Sequence, residues 1–209
     1  MKRRAGSVLA VIATVLALAL AATSCGSKSA SDAVIVGKTS YSTSYLSDMT
    51  NAYLKETGQS GLTGADLSTV QATLITEFIV NQLTIQAADK LGVRVPDSRT
   101  SALKAQLQND AQYANVRKSA VIPEARLDDM VRWTLSRTAI GDKLAKITSD
   151  ADSGNDASQQ AAATYIAALA ASEGVWVNPI FGKWNGQQLQ VGAGALVAVA
   201  TPSPTAVAQ

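Results

Sequence analysis

The stretch Asp66-Leu67-Ser68-Thr69-Val70-Gln71-Ala72-Thr73-Leu74-Ile75-Thr76-Glu77-Phe78-Ile79-Val80-Asn81-Gln82-Leu83-Thr84-Ile85-Gln86-Ala87-Ala88-Asp89-Lys90-Leu91-Gly92 decides the fold. Apolar residues recur at Leu67, Val70, Leu74, Ile75, Phe78, Ile79, Leu83, Ile85, Ala88 and Leu91. That spacing predicts one long helix with a wide apolar face. Asp66 is placed to cap its start, and Gly92 to stop it in the left-handed conformation that a Cβ disfavours.

The flanks agree. Downstream, Val93-Arg94-Val95-Pro96 reads as an extended connector, and Asp97 or Ser98 caps a helix that turns Leu103 and Leu107 inward and ends near Asn115. Pro123 suits the first turn of a further helix with a stripe of Leu127, Met130 or Val131, Leu135 and Leu144. Thr148 to Asp156 is a polar break, and the Ala-rich segment Ala157 to Ser172 is a last helix stopped by Gly174. Upstream, Ala33-Val34-Ile35-Val36 is a β-branched strand stopped by Gly37. Ser40 to Ser44 can cap a helix that carries Tyr45, Met49 and Tyr53 every four residues to about Glu56, with Gly58, Gly61 and Gly64 in the loop beyond. Near the end, Val175-Trp176-Val177 is strand-like, Asn178-Pro179 is a turn, and Trp184 to Val191 reads as a second short strand containing the turn signal Asn185-Gly186. The expectation is a mainly α fold with a small β-sheet formed by the first and last strands.

Composition narrows the chemistry. The 209 residues include no His and one Cys. Without His there is no Ser-His-Asp or Cys-His catalysis and no imidazole metal ligand. One Cys excludes an internal disulfide and a thiolate zinc cluster. Aromatic residues make up 5% of the chain, so the core must be built from Leu, Ile, Val and Ala. Gly37-Lys38-Thr39 ends like a P-loop, but Asp32 stands where the first Gly is needed, so it reads as a strand-end turn. Asp150, Asp152, Asn155 and Asp156 suggest a calcium loop, but Asn155 and Ala161 stand where that loop needs Gly and Glu; the segment reads as a solvated linker. Arg126, Arg132, Arg137, Lys143 and Lys146 alternate with Asp128, Asp129 and Asp142 as a solvated, ion-paired helix face, or alternatively as a contact for anionic lipid or acidic partners. No catalytic residue, metal or cofactor is expected, and the chain is not read as an enzyme.

The N-terminus carries Lys2, Arg3 and Arg4, then an uncharged apolar run from Val8 to Ala22. A basic start, a short apolar segment and small residues make a secretory signal over residues 1–24. The sequence Ala22-Thr23-Ser24-Cys25-Gly26 resembles the lipobox of bacterial lipoproteins, with Ala22 where Leu is usual. The resemblance implies that Cys25 is acylated and becomes the first mature residue, with 25–32 as a lipidated tether. Removing residues 1–24 takes away three of the 18 cationic side chains and no acidic one, leaving 15 against 16. So near-neutral a chain has no basic footprint for nucleic acid. Residues 192–209, rich in Ala, Val, Gly and Pro, read as a disordered tail.

Three further segments carry a family resemblance. Val34-Ile35-Val36-Gly37-Lys38-Thr39-Ser40-Tyr41-Ser42 opens the domain, and Ala87-Ala88-Asp89-Lys90-Leu91-Gly92-Val93-Arg94-Val95-Pro96-Asp97 closes the long helix. Their order resembles the N-terminal domain of SurA-type periplasmic chaperones and PrsA-type foldases. Val175-Trp176-Val177-Asn178-Pro179-Ile180-Phe181-Gly182-Lys183-Trp184-Asn185 resembles the closing strand of actinobacterial lipoproteins with a SurA-like N-terminal domain, with Ile180 where Arg is usual. The likeness spans about Ala33 to Val191. Fuller members insert a parvulin isomerase domain where this chain has only Thr148 to Asp156, and parvulin chemistry leans on histidines, so isomerase activity is not implied here. What the resemblance implies is a lipid-anchored, extracytoplasmic, chaperone-like protein that binds unfolded or exported polypeptides, and no evident small-molecule substrate. The alternative is a structural or adaptor envelope lipoprotein with one dedicated partner. The candidate client-binding residues are Tyr45, Met49, Tyr53, Phe78, Met130 and Trp133, which are apolar or amphipathic and able to repack around different clients; the alternative for each is plain core packing, since such stripes usually face inward.

Overall fold

The computed structural model describes residues 29–149 and 151–192. The expected signal peptide, the expected lipidation site Cys25 and the tail beyond Gly192 lie outside the described residues. The elements run β1 (Asp32–Val36), β2 (Thr39–Ser42), α1 (Thr43–Glu56), α2 (Gly64–Leu91), α3 (Asp97–Asn109), α4 (Tyr113–Ser119), a 3-10 turn (Glu124–Arg126), α5 (Leu127–Ala145), α6 (Asp156–Glu173), β3 (Val175–Val177), β4 (Lys183–Asn185) and β5 (Gln190–Gly192). The fold is mainly α, with two small antiparallel sheets.

Helix α2 is the axis. Leu74, Ile75, Phe78, Ile79 and Leu83 are all but sealed from solvent, and α1, α5, α6 and β1 pack around them. Gly92 ends α2 at φ 61, as its position after Leu91 predicts. Two details depart from expectation. The helix begins at Gly64, so Asp66 sits within the first turn, where a carboxylate favours the N-terminal dipole, rather than at the cap. Ile85 is 42% exposed, because it falls between the turns of the buried stripe.

The sheet order is β2-β1-β3. Val34, Ile35 and Val36 pair with Val177, Trp176 and Val175, so the first strand is closed by a strand more than 130 residues away in sequence. Asn178 locks this closure: its buried amide donates to the Asp32 carbonyl at 3.0 Å and accepts from the Ile180 N–H at 3.3 Å, while its backbone N–H reaches the Ala33 carbonyl at 2.9 Å. β2 was not expected as a strand. Val36 pairs with Thr39, which makes Gly37-Lys38 a two-residue hairpin turn with Gly37 at φ 59. Ser42 then caps α1 by accepting from the Tyr45 N–H at 3.1 Å.

Three other boundaries differ. The helix from Asp97 stops at Asn109, not near Asn115, because Asp110 turns extended and its carboxylate takes the Gln112 N–H at 2.7 Å, a local bond that competes with the helix. Pro123 opens the 3-10 turn, and α5 proper begins at Leu127. The segment from Trp184 to Val191 is not one strand but the two arms β4 and β5. The Val191 N–H ties that hairpin to Thr76 of α2 at 2.9 Å.

The α5–α6 link is held by Asp142. Burial would raise its pKa, but hydrogen bonds from the Gly154 N–H and the Ser153 and Ser158 hydroxyls outweigh burial and hold it below the usual range. The two helices touch at Gly141, where a Cβ would collide with the Ser158 carbonyl oxygen. Any larger residue forces them apart.

Candidate functional site

Helices α2 and α5 present facing stripes. Leu74, Glu77, Phe78 and Asn81 fall one above another on α2, at the i, i+3, i+4 and i+7 positions that share a helix face. Arg126, Asp129, Met130, Trp133 and Arg137 do the same along the 3-10 turn and α5.

At the Phe78 end the stripes close. The Tyr41 and Phe78 rings stack at 4.9 Å between centroids, and Tyr45 lies against both. The Arg126 guanidinium lies 4.8 Å over the Phe78 ring, donates to the Tyr45 hydroxyl at 3.1 Å and faces the Asp129 carboxylate at 3.5 Å. Arg126 is 8% exposed, so it leaves the solvated cationic face that its sequence context suggests and becomes part of the core. Arg132 and Lys143 remain on that face as exposed cations.

One turn further the stripes part around a cavity of about 20 Å³. Glu77, Asn81, Met130 and Trp133 wall it. Burial pushes the Glu77 carboxyl above its ordinary pKa, against the opposing pull of Arg126 and Arg137. The Trp133 indole N–H is screened from solvent and has no acceptor among the described residues. Arg137 stacks over the Trp133 ring at 5.8 Å.

Glu77 and Trp133 are also shared with a larger open groove of about 690 Å³ between α2, α5, α6 and the β4–β5 hairpin, where Arg137, Gln160, Ala167 and Leu189 join them. A second concavity of about 820 Å³, bounded by the end of α6, Trp184 and the hairpin, adjoins the first at Ala167, Gln187 and Gln188. Together they run along α6. Their walls mix Ala, Leu and Trp with neutral amides, and Arg137, Glu77 and Lys183 are their charged residues.

The six candidate client-binding residues do not share one lining. Phe78 is fully buried, and Tyr53 is 4% exposed with its hydroxyl donating to the Lys118 carbonyl at 2.8 Å. Tyr45 and Met49 are half-buried and pack on the main core. Met130 and Trp133 remain half-buried at the cavity, and Trp133 alone of the six reaches the groove. Glu77, Asn81 and the Gln residues were not singled out from the sequence. The available signal was a carboxylate and an amide four residues apart inside an otherwise apolar stripe.

Among the described residues no cluster of His, Cys, Asp and Glu is arranged to hold a metal ion, and no helix is long and apolar enough to cross a membrane. No protein-family model, curated protein or solved structure matches the chain.

Proposed function

We propose that the protein is a lipid-anchored, extracytoplasmic, chaperone-like protein that holds unfolded or exported polypeptides along α6. The observation that carries the reading is the pair of adjoining concavities that meet at Ala167, Gln187 and Gln188. Gln and Thr side chains both donate and accept, so they match peptide groups whatever the client's sequence. Ala, Leu and Trp walls supply apolar burial that competes with client aggregation. The charged residues on these walls are few and of both signs, which disfavours selection by net charge. Binding of this kind requires no covalent chemistry. The order of motifs resembling SurA-type N-terminal domains supports it, and acylated Cys25 would hold the domain at the membrane, each buried CH₂ contributing about 0.8 kcal/mol.

A second reading, an adaptor with one dedicated partner, is favoured by a different observation. Among the described residues the exposed large apolar ones are Ile85, Val116 and Ile180, set on α2, α4 and the turn before β4 rather than gathered in one patch. A generalist usually shows a broader apolar surface.

The test is aggregation suppression by the soluble mature chain, residues 26–209, with several unrelated unfolded clients. Dose-dependent suppression near stoichiometric ratios is expected, together with its loss in Ala167→Arg, which blocks the shared floor of both concavities while leaving the circular dichroism unchanged. No suppression from folded, monodisperse protein overturns the chaperone reading and leaves the dedicated partner.

A further inference from the structure

The cavity between α2 and α5 holds polar groups that the fold itself does not use. Asn81 is 8% exposed, yet its side-chain amide makes no hydrogen bond among the described residues. The Trp133 Nε1–H is buried without an acceptor. The half-buried Glu77 carboxylate accepts no hydrogen bond and joins no ion pair among the described residues. A buried donor or acceptor left unpaired costs about 1–3 kcal/mol, and folded proteins rarely carry several at one place. Here one such donor, Trp133 Nε1–H, lies beside an amide and a carboxylate that have no hydrogen-bond partner among the described residues, and the three together point to a guest.

The cavity's size and charge narrow that guest. At about 20 Å³ it admits a water or a single polar head group, and no ring. No single charge dominates it: Arg126 faces Asp129 at 3.5 Å on the cavity wall, and Arg126, with Arg137 beyond the wall, pulls against the burial of Glu77 without outweighing it. Neither an anion nor a cation is favoured there. A neutral group with both an acceptor and donors is.

We infer that this cavity is a subsite for a primary carboxamide, the side chain of an Asn or Gln in a polypeptide lying in the groove. The carboxamide oxygen accepts from Trp133 Nε1–H and Asn81 Nδ2, and its NH₂ donates to Glu77 and Asn81 Oδ1. Because Glu77 and Trp133 wall both the cavity and the groove, a side chain can enter from a backbone outside. The inference rests on the polypeptide-binding reading above for the source of the carboxamide, but not for the chemistry of the subsite.

The experiment has two arms that separate those dependences. In the first, ¹⁵N-labelled residues 26–209 are titrated with acetamide, acetate and methylammonium while the three tryptophan indole N–H resonances are followed, with Trp133 assigned through Trp133→Phe. Acetamide is expected to shift the Trp133 resonance saturably and to leave Trp176 and Trp184 in place. Acetate and methylammonium shift it less, and Asn81→Leu abolishes the response. In the second arm, N-acetylated pentapeptides Ala-Ala-X-Ala-Ala with N-methylamide ends carry Gln, Leu or Glu at X. The Gln peptide binds about fivefold tighter than the others, the worth of about one net hydrogen bond, and the ratio falls to one in Asn81→Leu.

A Trp133 resonance silent to acetamide, or equally responsive to acetate, overturns the subsite. Peptides that bind without preference then leave the groove standing alone and mark the cavity as a water site. A response to acetamide with no peptide binding keeps the subsite and overturns the polypeptide reading.

Discussion

Around Phe78 the seam between α2 and α5 contains a buried arginine, yet the guanidinium has a ring, a hydroxyl and a carboxylate to engage. One turn along the same two helices, at Asn81 and Trp133, an amide and an indole N–H face a cavity with nothing to engage. Both ends lie along the same pair of facing stripes and have a similar mix of apolar and polar residues. They differ in whether the polar groups find partners within the chain. Polar groups that do so are part of the core and contribute stability. Those that do not lower stability and suit an external ligand, because binding is where their hydrogen bonds can be made.

The contrast can be broken from the stability side. Phe78→Ala empties the fully buried centre of the aromatic cluster and removes the ring beneath Arg126; a loss of about 3–5 kcal/mol in denaturant unfolding is expected. Arg126→Met keeps the volume but forfeits the cation–π contact and the bond to Tyr45, so the loss should be smaller, about 1–3 kcal/mol. At the other end Asn81→Leu exchanges an unpaired amide for an apolar group of similar volume, and stability should hold within about 1 kcal/mol or rise. A large loss from Asn81→Leu would mean that the amide is partnered after all, and the two ends would no longer differ.

How much of this was legible in the sequence follows from the range of each interaction. The long helix α2 and its Gly92 stop were legible because periodicity and a left-handed C′ glycine are local properties. So was β1, and its closure by Val175–Val177 was legible as a pairing of distant strands. The break at Asp110 was not, because a local Asx-type bond and continuation of the helix compete for the same backbone groups and Asp serves either. β2 was missed because Ser and Thr serve caps and edge strands alike. The site was the least legible part. Of the six candidates, Phe78, Met130 and Trp133 meet at one seam, because the α2 and α5 stripes face each other there. Whether an aromatic in a stripe is core or lining depends on the facing helix, and Arg126 could be placed over Phe78 only once α5 was docked. Glu77 and Asn81 interrupt the apolar face of α2 in the sequence, and that they wall a cavity shows only with α5 in place.

The smallest expected effect is also the one that tests the unpaired end most directly in solution. Burial raises the Glu77 pKa above its ordinary 4.5, and the guanidinium groups of Arg126 and Arg137, which face it from the 3-10 turn and α5, only partly offset this. Asp129 is the other charged group on the cavity wall. A carboxyl with a raised folded pKa binds its proton more tightly in the folded chain than in the unfolded one. Its favourable contribution is therefore fully present below the unfolded value and is lost as pH rises through the folded one. Glu77→Gln removes that dependence. The variant should match the parent in acid, below about pH 4, and become the more stable of the two towards neutral pH, where the parent holds a desolvated charge. Urea midpoints from pH 3.5 to 7.5 measure the difference. A parent that gains on Glu77→Gln with rising pH would show that the arginines outweigh burial. Glu77 would then be an ion-paired carboxylate like Asp129, and the cavity would lose its free acceptor.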